Sequence, residues 1–428
     1  MSNEIAIDAL DLAGIVQPGD SVLWGHGTSE PLVLSEALMQ QRARIGRFSV
    51  FLGPTFSRTV LPEHADHVSF SGYCGIGANQ ALFAAGAMDI VPCHISQLPA
   101  LLADGTVRCD VAMLQLSGPN ADGKHSLGVS HDYILEAAAR ARVVIAEVND
   151  QAPWTFGADE LAGLRIDHVV RSSRPVLTLP TRPANEAERQ LAVHAAALVP
   201  DRAVLQIGIG TIPETILGAL RDRRDLGLHS GMIGDAAADL IEAGVISNAF
   251  KSIDRHVSVT GMLGGTERLY RFADSNPVLR LRPVRYTHAA KILGAIDNLY
   301  SINSAIEVDL SGQINAETVG ADYVGAIGGQ VDFIRGAAQS QGGRSIIAMP
   351  STAANGTRSR IVVRLPSGVV TTARSDADLV VTEWGVAELR GQPLTERAKR
   401  LIAIAHPDFR EQLEREAHLV STREGIPQ

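Results

Sequence analysis

The chain is poor in the features that most quickly assign a class. Only three cysteines, Cys74, Cys93 and Cys109, occur in 428 residues. An odd, scattered set excludes a disulfide scaffold and has no metal-site spacing, so the three are expected to be reduced and structural. No uncharged apolar run approaches the ~18 residues of a membrane span. The start, "MSNEIAIDALDLAGIV", lacks a basic segment followed by an apolar one, so no signal peptide is expected and the cytoplasm is the expected compartment. Positive charge is scarce: the formal net charge of −9 argues against a nucleic-acid surface, while leaving room for small anions held by local fields. There is no GxSxG nucleophile elbow, which excludes an ordinary α/β-hydrolase. The close histidines His64 and His67 lie among acids and polar residues, where a solvated loop is expected rather than a metal site.

What is present is alternation. With 45% hydrophobic and 20% charged residues the composition is that of a globular enzyme, and the length suggests two or three domains at ~150 residues each. Short β-branched runs ("SVLWGHG", "FSVFLGP", "ARVVIAEVND", "AVLQIGIG", "RSIIAMPS") alternate with helical patterns ("PLVLSEALMQQRA", "EAERQLAVHAAALV", "TIPETILGALRD", "DAAADLIEAGV"). That order predicts an α/β fold of parallel sheets covered by helices, with two similar α/β halves left open. The proline-bearing stretch "SSRPVLTLPTRPANEAERQ" sets the expected boundary, giving domains over 1–185 and 186–428.

Four stretches carry candidate chemistry. In "AVLQIGIGTIPETILGAL" a strand runs into Gly208 and Gly210 before a helix. Glycines let a backbone approach a ligand, and a helix N-terminus offers free N–H groups to an anion. The pattern is GxGxxP; it lacks the full dinucleotide fingerprint and a placed ribose-binding acid, and a tight strand–helix turn reads equally well. "VGAIGGQVDFIRGAAQSQGGRSIIAMPST" is dense in glycine, with Gln330, Arg335 and Arg344 nearby, and suits either a backbone nest for phosphate or thioester oxygen or a pair of turns around a helix. "SRIVVRLPSGVVTTARSDADLVVTEWGVAELRG" alternates like antiparallel strands, with Glu383 at a strand end as a catalytic acid or, more commonly, a structural acceptor. Finally, "DLGLHSGMIGD" breaks a short strand at His229-Ser230-Gly231-Met232 before a helix starting near Asp235. This is a favourable place for a site, with a glycine at its centre.

Together, "DVAMLQLSGPNADGKHSLGVS", "ARVVIAEVND", "IGIGTIPETILGAL", "LGLHSGMIGD", "INSAIEVDLSGQINAE", "GGQVDFIRGAAQSQGGRSIIAMPST", "VVTEWGVAELRG" and "RLIAIAHPDFREQLEREA" resemble the acetyl-CoA hydrolase/transferase family, whose relatives include 4-hydroxybutyrate CoA-transferases. The resemblance covers nearly the whole chain in order. It implies two tandem open-sheet α/β domains of the class I CoA-transferase type with a cleft between them, no metal and no organic prosthetic group. It also implies coenzyme A as a substrate alongside a small carboxylic acid, and a homodimer or higher assembly without nucleic acid or membrane. In the usual transferase a glutamate attacks an acyl-CoA thioester and passes through a glutamyl-CoA thioester, conserving its energy. By resemblance, Gly208 and Gly210 contact the thioester oxygen and CoA through backbone N–H groups. Gly328, Gly329 and Gln330 form the CoA-side loop, Asn276 and Asn303 orient the acyl carboxylate, and Arg344 meets a CoA phosphate.

The departure is Gly231. The family pattern there reads His-Ser/Thr-Glu-Met, with the glutamate as nucleophile. The first reading keeps a CoA-transferase, moving CoA between an acyl-CoA and a small carboxylic acid, with a relocated carboxylate: Glu63 first, since it follows the "FSVFLGP" strand, then Glu30, which equally serves a helix dipole, while Glu147 reads as a structural or supporting group. Arg58, in the same loop as Glu63, suggests a carboxylated acyl group, with Arg335 and Arg358 as further arginines. A second reading is an acyl-CoA hydrolase in which an acid or His229 orients water beside Gly231. A third is an acyl-CoA-binding protein without turnover.

Overall fold

The computed structural model describes residues 3–423. Its first part is an eight-stranded sheet in the order Asn3–Ile5, His168–Ser172, Val143–Asn149, Val111–Ser117, Ser21–Trp24, Phe48–Leu52, Val68–Gly72 and Met88–Ile90. Every pairing in it is parallel. Parallel strands need crossovers and so lie buried on both faces, which is why they read as unbroken apolar runs. All seven residues of Val111–Ser117 are buried. Helices Leu32–Ile45, Leu98–Ala103 and Ile134–Arg140 supply the covering layers. Leu34, Leu38 and Met39 pack with Val22, Val50 and Met113 in one layer, and Leu98, Leu102, Ile134 and Ala137 with Ala112 and Leu114 in the other.

The chain leaves this sheet after Ser172. The next helix, Glu186–Ala197, is capped by Asn185 and Glu188 in a reciprocal capping box. That helix packs on a six-stranded sheet ordered Gly227–Leu228, Val204–Ile207, Leu299–Asn303, Arg344–Ala348, Leu379–Thr382 and Gly385–Glu388. The last pair is an antiparallel hairpin and the others are parallel. The two tandem α/β sheets follow the alternation of the sequence. No helix among the described residues is long and apolar enough to cross a membrane.

The two sheets meet in one orientation. Loops beyond the carboxyl ends of the first sheet dock on the second part through backbone bonds: His131 N to Gly261 O (2.9 Å), Val284 N to Asp132 O (2.8 Å), Gly75 N to Gly325 O (2.8 Å) and Ile95 N to Gly328 O (2.9 Å). Thr28 Oγ1 adds a bond to Leu263 O at 2.7 Å. The seam therefore gathers the carboxyl edge of the first sheet, where ligand sites of open α/β sheets form.

Two acids raised by the sequence are structural. Glu147 is fully buried; its oxygens accept Ser172 Oγ (2.7 Å) and the N–H of Val33 at the start of helix Leu32–Ile45 (2.9 Å). Glu383 accepts the N–H and hydroxyl of Ser351. Replacing Glu147 by Ala strands both donors, so Glu147→Ala is expected to cost about 1–3 kcal/mol in urea unfolding, and Glu147→Gln less.

Candidate functional site

The site grows from the turn His229–Met232. At the end of strand Gly227–Leu228 the last carbonyl is taken by a lysine. Lys251, buried, donates Nζ to Leu228 O (3.0 Å) and Val257 O (2.7 Å), and burial brings its pKa down to about 8. Ser230 Oγ lies 2.7 Å from Ile207 O and 2.8 Å from Met232 O, clipping the turn to the end of the strand that leads into Gly208. His229 is wholly buried, with Nε2 3.1 Å from Thr287 O and Nδ1 unpartnered. Burial holds its pKa down at about 3. It is a neutral internal ring and does not serve as the water-orienting group foreseen for it.

Gly231 lies outside the left-handed region, so its backbone does not require glycine. Its surroundings do. A Cβ built on Gly231 would lie 2.8 Å from Cε1 and 2.9 Å from Nε2 of His288, with Phe333 next at 3.5 Å; no carboxylate oxygen is among these nearest atoms. The His288 ring cannot swing aside freely. Thr287 Oγ1 holds Nδ1 at 2.8 Å, and Phe333 packs on the ring at 4.6 Å between centroids. Gly329 borders the same ring from the other side, where a Cβ would clash with Nε2. A histidine thus fills the space a side chain at 231 would take. Its Nε2 makes no hydrogen bond among the described residues. Burial lowers its pKa to about 4, against the opposing charge of Asp132, so the ring is neutral at neutral pH.

Asp132 is the carboxylate that the fold brings close. It is buried; Ser130 Oγ donates to Oδ2 at 2.6 Å, and His26 Nε2 meets the same oxygen. His26 Nδ1 faces the hydroxyls of Tyr133 (2.9 Å) and Tyr73 (3.3 Å), so both ring nitrogens are engaged. Burial works against the Asp132 charge, but His26 and Ser130 outweigh it and hold the carboxyl below its ordinary value. A Cβ on Gly261 would meet both Asp132 Oδ1 and, at 2.8 Å, Gly231 O, which brings the carboxylate to the floor of the turn.

The glycines of the two predicted loops are open or docked. A Cβ on Gly208 would meet only Pro213, at 3.8 Å, and one on Gly210 nothing within 4 Å. Gly210 has φ +107° and starts helix Thr211–Gly218, leaving clear space over a helix N-terminus. Gly328 holds Ile95 through its carbonyl, and Gln330 begins helix Gln330–Gln339 with Nε2 3.0 Å from Thr372 Oγ1. Asn303 ends its strand in a reciprocal amide pair with Gln206 (3.0 and 3.2 Å).

Other expectations are corrected. Glu63 is exposed in the turn Pro62–Asp66, beside Arg42. The strand it precedes starts at Val68, opposite Phe48, so Glu63 is already at the amino edge, away from the Gly231 turn; the connection crosses back over the sheet before reaching it. Glu30 is buried and accepts Ser35 Oγ at 2.8 Å. Arg344 begins its strand, at the wrong end for the cleft, and is paired with Asp378 and Glu388. Asn276 spends its amide on Phe272 O and Val278 N in a local turn. Arg335 and Arg358 pair with Asp376 and Glu307. Arg58 is exposed in the loop that lays Phe56 against Gly27. His288 and Asp132 were missed because neither lies in a recognisable motif; the adjacent His131-Asp132 in "SHDYIL" is the only local sign.

One further acid links the two loops. Glu214, on the helix after Gly210, accepts the N–H of Ala236 at 2.7 Å, while its other oxygen is unpartnered beside Gly234. Burial, with Asp235 and Asp239 adding to it, pushes its pKa up from 4.5 to about 7. The folded state therefore binds this proton more tightly than the unfolded chain. The contribution to stability is full below pH 4.5 and is lost as pH rises to about 7. Glu214→Gln should remove that part of the fall, seen as a flatter dependence of the urea midpoint across this window; an unchanged slope assigns the proton elsewhere.

The acetyl-CoA hydrolase/transferase N-terminal domain model matches residues 4–179 and the C-terminal domain model residues 265–417. The chain is 40% identical to a 4-hydroxybutyrate coenzyme A transferase from Clostridium kluyveri, over 92% of each chain. It is 26% identical to an acetyl-CoA hydrolase from Neurospora crassa, over 74% of this chain and 68% of that one. The crystal structure of RipA from Yersinia pestis superposes with a TM-score of 0.90 at 35% identity, covering 96% of both chains. The chain is an enzyme that belongs to the acetyl-CoA hydrolase/transferase family.

Proposed function

We propose that this enzyme hydrolyses acyl-CoA thioesters, with water as the acyl acceptor and His288 as the general base. The observation that carries the reading is the neutral, fixed His288 ring lying where a side chain at position 231 would otherwise stand. A glutamyl nucleophile cannot form at a glycine; with the Thr287 hydroxyl donating to Pro283 O, Nδ1–H of His288 donates to Thr287 Oγ1 and the lone pair falls on Nε2.

The steps balance without another reactant. Water attacks the thioester carbonyl carbon while Nε2 takes its proton. The carbonyl oxygen becomes an oxyanion, for which the open amide edge at Gly208 and Gly210 is the suitable donor set. The carbon–sulfur bond then breaks. The proton on Nε2 goes to the departing sulfur, leaving free CoA thiol, a carboxylic acid and neutral His288. The low pKa of the ring keeps its lone pair free across the neutral range. Its weak basicity is matched by a leaving thiolate that needs little help to depart.

A second reading, transfer of CoA to an acid, is favoured by the name and 40% identity of the Clostridium kluyveri relative. It requires either direct attack by an acceptor carboxylate or attack by Oδ1 of Asp132, since Glu63 is remote and His26 and Ser130 engage only Oδ2 of Asp132.

The test mixes purified protein with a panel of acyl-CoAs, including carboxylated acyl groups, with and without acetate, succinate or itaconate. Thiol release without an acid is the expected result, and His288→Ala should lower it by about 10²- to 10⁴-fold. Formation of a new acyl-CoA only when an acid is present would favour transfer instead. A His288→Ala variant at full rate would remove His288 as the base.

A further inference from the structure

The Asp132–His26 pair does not take part in the steps above, yet it is a buried polar cluster with several partners at the seam. The backbone of Asp132 sits at φ +33°, a region non-glycine residues seldom adopt, and is held there by contacts from both sheets. Its carbonyl accepts Val284 N at 2.8 Å, and it bridges Pro283. Val284 opens the short helix Val284–Thr287, and its own carbonyl accepts His288 N at 3.0 Å. The turn that presents His288 is therefore seeded by a residue of the first sheet's carboxyl edge.

The side chain is as specific. Ser130 and His26 both bind Oδ2, while Oδ1 accepts no hydrogen bond among the described residues. Oδ1 and Gly231 O both lie within 2.8 Å of the point where a Cβ on Gly261 would stand, so a side chain at 261 would drive the carboxylate from the turn. His26 is fixed from behind by Tyr133 and Tyr73 and is itself buried, so Oδ2 is locked, while Oδ1 lies beside Gly261 next to the Gly231 carbonyl.

We propose that Asp132 is the positioning residue of this site: its backbone sets the turn carrying His288, and its carboxylate supplies the negative charge that steadies the ring when it takes a proton from water. The proposal rests on His288 as the base, and adds the group that makes a buried imidazole usable for that work. The charged and titratable groups around the ring are Asp132 with its partner His26, then His229, with Lys251 behind His229. Of these only Asp132 favours the protonated ring; His229 and Lys251 are neutral or cationic. The sign follows: removing the Asp132 charge makes His288 a weaker base, and withdrawing a hydrogen bond that disperses the charge makes it a stronger one.

The experiment uses two variants of the full chain and two readouts. Asp132→Asn keeps the shape and removes the charge; Ser130→Ala keeps the charge and removes one donor. In Asp132→Asn, kcat for acyl-CoA hydrolysis should fall about 10- to 100-fold with KM changed less than threefold. The midpoint of the low-pH limb of kcat should move down. In Ser130→Ala that midpoint should move up. The same midpoints are read without turnover by following the His288 resonance in ¹⁵N-histidine-labelled protein, assigned with His288→Gln. Opposite displacements in the two variants support the proposal even where no acyl-CoA is hydrolysed, a result that would sink the hydrolase reading alone. If Asp132→Asn does not fold, Ser130→Ala decides: an unmoved His288 midpoint overturns the proposal. A loss confined to KM or to thermal stability, with the His288 midpoint fixed, overturns it equally.

Discussion

Two groups cannot share the space above Gly231. The His288 ring, pinned by Thr287 and stacked on Phe333, stands where the first side-chain atom of any other residue at 231 would go. Interiors are packed like crystals, so a side chain at 231 must displace the ring or the turn. Gly329 obeys the same constraint from the opposite side, and Gly261 a matching one against Asp132. Three glycines with no shared motif are thus demanded by two polar side chains, and the chemistry available at the turn follows from which atoms those side chains present.

The seam between the sheets makes that packing possible. The Gly231 turn and His288 belong to the second part of the chain, Asp132 and His26 to the first, and backbone bonds such as Val284 N to Asp132 O fix one against the other. A histidine so deep in a protein gives up its charge, because burial penalises the imidazolium more than one carboxylate repays. The same burial acts on His229, which has no carboxylate facing it and is depressed further. Lys251 adds to the depression of His229, whereas Asp132 opposes that of His288, and both rings are held neutral.

The sequence carried the architecture well because architecture is periodic. Runs such as "DVAMLQLS" are buried on both faces and betray a parallel sheet without any partner being known. The turn at His229–Met232 was also legible, since strand, polar break and helix are local. What failed was range. Glu63 follows a strand in sequence, but the path to Val68 returns it to the amino edge. Arg344 looked like an anion ligand beside glycines, yet it begins its strand and is spent on Asp378 and Glu388. His288 lies far from Gly231 in the chain, in a stretch with no motif, and only packing brings them together.

The absence of a glutamate then has a physical consequence beyond the loss of a nucleophile. A carboxylate that attacks a thioester keeps the acyl energy in a new activated bond, which a second acid can exploit. A neutral imidazole that takes a proton from water gives that energy up, because the product is a free carboxylate from which no acyl group transfers readily. In the proposed chemistry, a glycine at 231 with His288 as base alters the fate of the thioester energy within the same scaffold. The glycine turn at Gly208 and Gly210 still offers open space over a helix N-terminus, where donors for a thioester oxygen suit either chemistry. Under the proposed hydrolysis, recognition of the thioester and disposal of its energy fall to different residues, with Gly231 and His288 acting on the second.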